Sequence, residues 1–198
     1  MEVPANTREH ILLQALRLFA KKGYEAIGVA SICEAAGITK PTMYYHFGSK
    51  RGLLEALISQ WGTELLTGLD GFLPTSSEQL TGDAIKVYLD QIISYIWDFA
   101  TINPDFYRFI LSQYHAPPQS EGSAVVLPFL AELQGRLNQL FNLASPWHGA
   151  FRGREAIYAH TFLDMVHSWV GLSLSGGCNL DAPNRREAIH HYLHGIFS

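Results

Sequence analysis

The stretch GVASICEAAGITKPTMYYHFGSKRGLLEAL, residues 28–57, decides the fold of this chain. Its apolar and small residues predict two short helices, at about 29–36 and 39–47, with Gly37 in the turn between them. Two short helices joined by one glycine-centred turn are the layout of a helix-turn-helix. The stretch therefore indicates a compact helical unit with one helix available to an outside partner.

The second helix of this stretch has well-marked ends. Thr39 is predicted to cap its N-terminus and Gly48 to end it, because a hydroxyl accepts from free N–H groups and glycine suits a helix C-terminus. Ser49 is then predicted to cap a longer helix that starts near Lys50. An amphipathic pattern from residue 6 or 7 to about 22 precedes the stretch and predicts a first helix, which completes a three-helix unit.

The outward side chains of the second helix suit duplex DNA. Met43 is predicted to point inward, which leaves Lys40 and Thr42 near the tip of the helix. Lys40 can donate to guanine acceptors, and Thr42 can use its hydroxyl or its methyl group on base edges. Phosphate contacts position such a protein on DNA. The side chains suited to them are Tyr44, Tyr45, His46 and Lys50, the last beside free N–H groups of the next helix.

The run TKPTMYYHFGSKRGLL, which starts at residue 39, resembles the recognition-helix signature of TetR-family regulators. The resemblance covers about residues 6–57. It implies that Lys40, Pro41, Thr42 and Tyr45 face bases and that Tyr44, His46 and Lys50 approach phosphates. Gly28 departs from the pattern, because the family often has Thr at the start of the preceding helix, so a capping or phosphate-contacting hydroxyl is missing there.

The resemblance also implies the organisation of the chain. We expect an all-α protein with an N-terminal three-helix helix-turn-helix domain, residues 1–50, and a C-terminal helical bundle, residues 51–198, for ligand binding and dimerisation. Helical patterns at about 83–101, 104–115, 124–143, 153–174 and 184–197 agree with this expectation. The last two are long and apolar, and the family pairs the corresponding helices across a two-fold axis. Two recognition helices roughly 34 Å apart would then bind a palindromic DNA site.

Composition narrows the class of protein. Hydrophobic residues make up 47% of the 198 residues and charged residues only 16%, which indicates extra burial in an interface or around a cavity. The net charge is −4, but basic residues are enriched in the first 60 positions, as expected for a DNA-binding end. Cys33 and Cys178 lie far apart without paired metal-ligand spacing, and no leader or membrane span is recognised, so a cytoplasmic protein without disulfides is expected.

A ligand pocket is predicted from aromatic residues with a few polar neighbours. For any single aromatic residue, ordinary core is the favoured interpretation, and some of them together are expected to line a cavity. His160, Asp164 and His167 share one helix face at i, i+4 and i+7, which leaves a metal half-site, a pocket wall or a dimer face open. No metal or cofactor is predicted. The predicted pocket residues are Tyr95, Asp98, Phe99, Phe106, Phe109, Phe129, His160, Asp164 and Trp169.

The predicted function is that of a ligand-responsive regulator of transcription. We expect a repressor that a small apolar or aromatic molecule releases from its operator, with duplex operator DNA, that effector and a second copy of the chain as partners. An enzyme is not expected, because Gly171–Ser175 lacks the last glycine of a nucleophile elbow and no phosphate-binding glycine motif is present. The alternative is a helical interaction or ligand-binding module without DNA binding.

Overall fold

The computed structural model describes residues 7–117 and 119–195, and within them every regular element is helical. The predicted all-α class is therefore confirmed. A π-helical segment, Ile58–Gly62, lies between α4 and α5, and a short 3₁₀ helix, Ser77–Leu80, lies between α5 and α6. The α-helices are α1 Thr7–Lys22, α2 Val29–Ala36, α3 Lys40–Phe47, α4 Lys50–Leu57, α5 Thr63–Asp70, α6 Ala84–Ile102, α7 Pro104–Tyr114, α8 Glu121–Ala144, α9 Glu155–Leu174 and α10 Ala182–His194.

Several helix boundaries differ from the sequence expectation; α8, for example, begins at Glu121 and not at about residue 124. The single helix expected from Lys50 onward is interrupted by the π-helical segment, which apolar periodicity does not reveal. The helix expected at 184–197 begins at Ala182, where Asp181 caps it by accepting from the Asn184 N–H at 3.0 Å. The last two positions of that expected range lie outside the described residues.

The chain divides into two compact units, and each draws on two parts of the sequence. The first comprises Met1–Glu64 and Pro104–Leu130, and the second comprises Leu65–Asn103 and Ala131–Ser198. The first unit therefore contains the three-helix motif together with α7 and the beginning of α8. The domain boundary predicted after residue 50 stays a prediction.

The first unit is built on α1. Its apolar residues recur at three- and four-residue intervals, and this face packs against α2 and α7. The Phe19 ring lies 5.8 Å from that of Phe109 in α7 and 5.1 Å from that of Tyr24, which follows α1. The buried residues of α1 are Ile11, Leu12, Ala15, Leu16 and Phe19. Burying this face anchors the motif, because apolar burial is the main driving force of folding.

The second unit is a bundle in which α6, α9 and α10 pack together. The middle of α6 and the inner face of α9 are buried, and they supply much of its apolar core. At the surface, the Arg185 side chain of α10 donates to Asp90 Oδ1 at 3.0 Å and to Ser94 Oγ at 2.8 Å, both in α6. None of the described helices has the length and apolar character needed to cross a membrane.

Candidate DNA interface and ligand-binding region

Local hydrogen bonds fix both ends of α3. The Thr39 Oγ1 accepts from the Thr42 N–H at 3.3 Å, and the Gly48 N–H donates to the Tyr44 carbonyl at 2.8 Å. Gly48 has a φ of 70°, a backbone conformation that residues with a side chain rarely adopt. Pro41 stands in the first turn, where its missing N–H costs nothing. The sequence predicted both ends correctly.

The two sides of α3 differ sharply in exposure. Met43 is fully buried, whereas Tyr45 is 86% exposed and Tyr44 is 47% exposed. Lys40 and Pro41 are exposed as well. A helix that buries one apolar anchor and leaves its other side chains outside can enter a major groove.

The remaining predicted DNA residues of α3 are half-buried. The Thr42 hydroxyl lies 2.9 Å from that of Thr39, so part of its hydrogen-bonding capacity is used within the cap. The His46 ring contacts the Tyr45 ring edge-on, with centroids 5.2 Å apart. All six predicted residues of α3 therefore share one short helix, and four of them are exposed.

Lys50 has partners that the sequence did not predict. Its ammonium donates to the Tyr24 carbonyl at 2.7 Å and lies 3.8 Å from the centroid of the Tyr24 ring. Burial lowers the pKa of Lys50, and the charges of Glu25 and Glu121 oppose this shift. The predicted phosphate contact of Lys50 stays a prediction, but the ammonium is already engaged inside the first unit.

Two further features lie beside this surface. Gly28 caps α2 without a side-chain hydrogen bond, so the hydroxyl expected from the family pattern has no replacement at that position. The Arg8 guanidinium lies over the Phe47 ring, 5.4 Å from its centroid, and Arg8 is exposed. Arg8 was not among the predicted residues, because a cation held on an aromatic face gives no local signal in the sequence.

The aromatic residues predicted to line a pocket fall in both units. In the first unit, Phe106 stacks on Trp61 with centroids 6.3 Å apart and meets Phe129 edge-on at 6.0 Å. Phe109 packs on Phe19. All of these rings are buried, so in the first unit the predicted pocket residues are parts of aromatic core clusters.

In the second unit, Trp97 and Trp169 form the most informative pair. Their rings lie 5.7 Å apart, and Trp97 is only 1% exposed. Within the described chain its indole Nε1 has no hydrogen-bond partner. A buried donor without an acceptor is costly, and a bound molecule with an acceptor would relieve that cost.

The other predicted pocket residues of the second unit differ in how deeply they are buried. Phe99 is buried, and the Tyr95 hydroxyl donates to the Leu65 carbonyl at 3.2 Å. Asp98 is exposed. His160 and Asp164 lie on the outer face of α9, 3.2 Å apart, with more than two-fifths of each side chain exposed. The interpretations left open for these residues included His167, which is buried, so the three do not share one exposed face, and a dimer face stays a prediction.

A cavity that the sequence did not predict lies in the second unit. Its volume is about 440 Å³, and its walls include Trp147, Phe151, Tyr158 and Tyr192. None of the nine predicted pocket residues lines it. Among the described residues, no group of three or more His, Cys, Asp or Glu side chains could hold a metal ion.

The capped and outward-facing α3, packed against α2 and α4, defines a helix-turn-helix protein. Residues 11–57 match the family described as bacterial regulatory proteins, tetR family. The transcriptional activator FasR of Mycolicibacterium smegmatis is 29% identical over 113 residues, which are 57% of this chain and 49% of that protein. The helix-turn-helix of this chain is therefore of the TetR type. The chain's matches span about half or less of the length of its first curated relatives.

Solved structures show that the fold extends over nearly the whole chain. A TetR-like transcriptional regulator from Rhodococcus sp. RHA1 has a TM-score of 0.74 at 18% identity, covering 98% of both chains. The regulator FadR from Bacillus subtilis, solved in complex with stearoyl-CoA, has a TM-score of 0.72 at 14% identity and covers 95% of this chain and 98% of that one. At these identities the likeness concerns the fold.

Proposed function

We propose that this protein is a ligand-responsive regulator of transcription that binds duplex DNA through α3. The observation that carries the proposal is the contrast along α3 between buried Met43 and the exposed side chains around it. Lys40, Pro41, Thr42 and Tyr45 would face base edges, and Tyr44 and His46 would approach phosphates. Arg8 lies next to the end of α3 and would add a positive charge to the same surface.

The experiment is a salt titration of DNA binding. The wild-type protein first selects a duplex from a randomised pool, and affinities for this duplex and a scrambled one are then measured at several salt concentrations. A DNA-binding protein loses affinity for DNA steeply as the salt concentration rises, because its phosphate contacts release counterions from the DNA. Absence of salt-dependent binding to any duplex would favour a helical ligand-binding module instead.

Lys40→Ala tests the assignment of α3 directly. We expect a loss of about 1–3 kcal/mol on the selected duplex and relaxed preference at one base position. The control is Lys86→Ala, which removes the same charge from the second unit, where Lys86 pairs with Asp83 at 2.9 Å. Equal affinities for the two variants would contradict the role assigned to α3.

The effector is proposed to be a small apolar or aromatic molecule with at least one acceptor group. Support comes from the buried N–H of Trp97 and the apolar residues around it in the second unit. FadR of Bacillus subtilis, which shares the fold, was solved with an acyl-CoA. Native mass spectrometry of the purified protein would identify a retained molecule, and stearoyl-CoA and free coenzyme A are the first compounds to add to the DNA-binding assay.

Regulation would follow from differential binding. An effector that prefers the conformation with lower DNA affinity shifts the population toward it, typically by 1–3 kcal/mol. We propose release of a repressor from its operator. If the added molecule instead raises affinity for the selected duplex, the protein acts in the opposite direction.

A homodimer is part of this proposal, because one short helix reads too few bases. The outer face of α9 carries Ile157, 62% exposed, and Leu172, 49% exposed, together with His160 and Asp164. Such exposed apolar residues at helical spacing suit a two-fold interface. Sedimentation analysis of wild type and Ile157→Asp would test it, with a shift from dimer to monomer as the expected result.

A further inference from the structure

Tyr24 connects three parts of the first unit. It follows α1, its side chain is 1% exposed, and its ring packs edge-on against Phe19. Its carbonyl accepts from the Lys50 ammonium at 2.7 Å, and its hydroxyl donates to Glu121 Oε2 at 2.7 Å. One residue therefore touches both the first residue of α4 and the first residue of α8.

A second hydrogen bond ties the same two segments together. The Gly122 N–H, in the first turn of α8, donates to Glu25 Oε1 at 3.2 Å. A carboxylate at this position satisfies one of the free N–H groups of a helix N-terminus and suits its dipole. Residues 24 and 25 are thus bound to residues 121 and 122, and each bond spans 97 positions of sequence.

The space beside Gly122 is filled by the side chains of Gln113 and Tyr24. A Cβ on Gly122 would overlap the side-chain oxygen of Gln113 and lie 3.4 Å from the Tyr24 Cβ. Gln113 is itself buried in α7, and its carbonyl accepts from the Ser123 hydroxyl at 3.3 Å. The first turn of α8 is therefore held by backbone, side-chain and packing contacts at once.

We propose that Glu121, Tyr24 and Lys50, here named the Tyr24 link, make the first turn of α8 a positioning element for the DNA interface. Lys50 stands two residues after Gly48, which ends α3, so the link leads from α8 to the junction of α3 and α4. Tyr24 and Glu121 act through α3 and touch no DNA themselves. This inference rests on the proposed function for its consequence, but not for the link itself.

The chemistry of the link favours a firm connection. A hydroxyl that donates to a carboxylate makes a short and strong hydrogen bond, and a lysine over an aromatic ring adds a cation–π contact. Burial and the neighbouring carboxylate of Glu121 raise the pKa of Tyr24, so its hydroxyl keeps its proton and remains a donor. Helix α8 continues from this turn to Ala144.

The first test measures the link without DNA. Hydrogen exchange is followed at the Gly52 and Leu53 amides, which bond to Ser49 in the first turn of α4. In Tyr24→Phe and in Glu121→Ala we expect about fivefold faster exchange there, because each variant removes one charge-assisted bond. The double variant should add little to either single one, since both remove the same bond.

Controls separate positioning from general loosening. Glu132→Ala removes another exposed carboxylate from α8, one that pairs with Arg136, and should leave exchange in α4 unchanged. Glu121→Gln keeps an acceptor oxygen and should restore most of the wild-type rate. Unchanged exchange in both Tyr24→Phe and Glu121→Ala, or faster exchange of equal size in Glu132→Ala, would overturn the link.

The second test measures how the Tyr24 link affects DNA binding. Tyr24→Phe and Glu121→Ala are compared with wild type on the selected duplex, on the scrambled duplex and on duplexes with altered half-site spacing. We expect about a fivefold loss on the selected duplex and a changed ranking of the spacings. An equal loss on every duplex would mean that the link affects folding alone. If wild type binds no duplex at all, the proposed function fails, while the exchange result still decides the link.

Discussion

Lys50→Met asks whether this lysine supports the fold or binds phosphate. Methionine keeps an unbranched side chain over the Tyr24 ring but removes the ammonium that donates to the Tyr24 carbonyl. A hydrogen bond from a charged donor contributes about 1.5–3 kcal/mol, and a cation–π contact at a partly exposed site adds about 0.5–1 kcal/mol. These two contributions set the upper bound of the loss.

Two effects reduce that bound. The Tyr24 carbonyl keeps a second donor, the Ile27 N–H at 3.2 Å, so it is not left unsatisfied. Burial lowers the pKa of Lys50, which means that desolvation of the ammonium already offsets part of the gain. We therefore expect the free energy of unfolding to fall by about 1–2 kcal/mol, which corresponds to a drop in Tm of about 2–8 °C for a chain of this size.

The assay combines urea unfolding with the salt dependence of DNA binding, and Lys40→Met is the matched control. Lys40 is exposed on α3, so its replacement should change stability by less than about 0.5 kcal/mol while weakening binding. If Lys50 supports the fold, its variant loses stability and keeps the salt slope of wild type. A stable Lys50→Met protein whose salt slope is smaller by about one would mean that Lys50 binds phosphate and that our reasoning is wrong.

Three further variants test separate parts of the structure. Thr39→Ala removes the oxygen that accepts from the Thr42 N–H, and thermal unfolding should report a loss of about 1 kcal/mol; an unchanged Tm would mean that the cap contributes nothing. Gly52→Ala places a Cβ against the Phe47 carbonyl oxygen, so we expect a lower free energy of unfolding in urea despite the higher helix propensity of alanine. A stabilised variant would show that the turn between α3 and α4 rearranges at little cost. Trp97→Phe deletes the buried N–H; calorimetry should find weaker binding of the effector, whereas unchanged effector affinity would place the ligand elsewhere.

The sequence predicted the motif well because the relevant interactions are local. Thr39 and Ser49 accept from N–H groups three residues ahead, and Gly48 ends α3 through a bond to Tyr44, so each cap is visible within a short window. The burial of Met43 follows from helical periodicity in the same way. Such features are specified residue by residue along the chain.

Features that depend on distant partners could not be predicted in this way. The bond between Lys50 and Tyr24 spans 26 positions, and that between Tyr24 and Glu121 spans 97. The ligand region was harder still, because core aromatics such as Phe106 and ligand-contacting aromatics have the same composition and spacing. Only the packing around a ring decides between them.

The π-helical segment, Ile58–Gly62, has a consequence for every residue of α5. One wide turn acts as a one-residue insertion into an otherwise regular helix, and each residue of an α-helix advances by about 100°. That extra residue sets the angular position of the buried side chains Leu65, Leu66 and Leu69 around the helix axis. A shortened chain that restored unbroken α-helical winding would rotate all three by about a quarter of a circle away from their present neighbours.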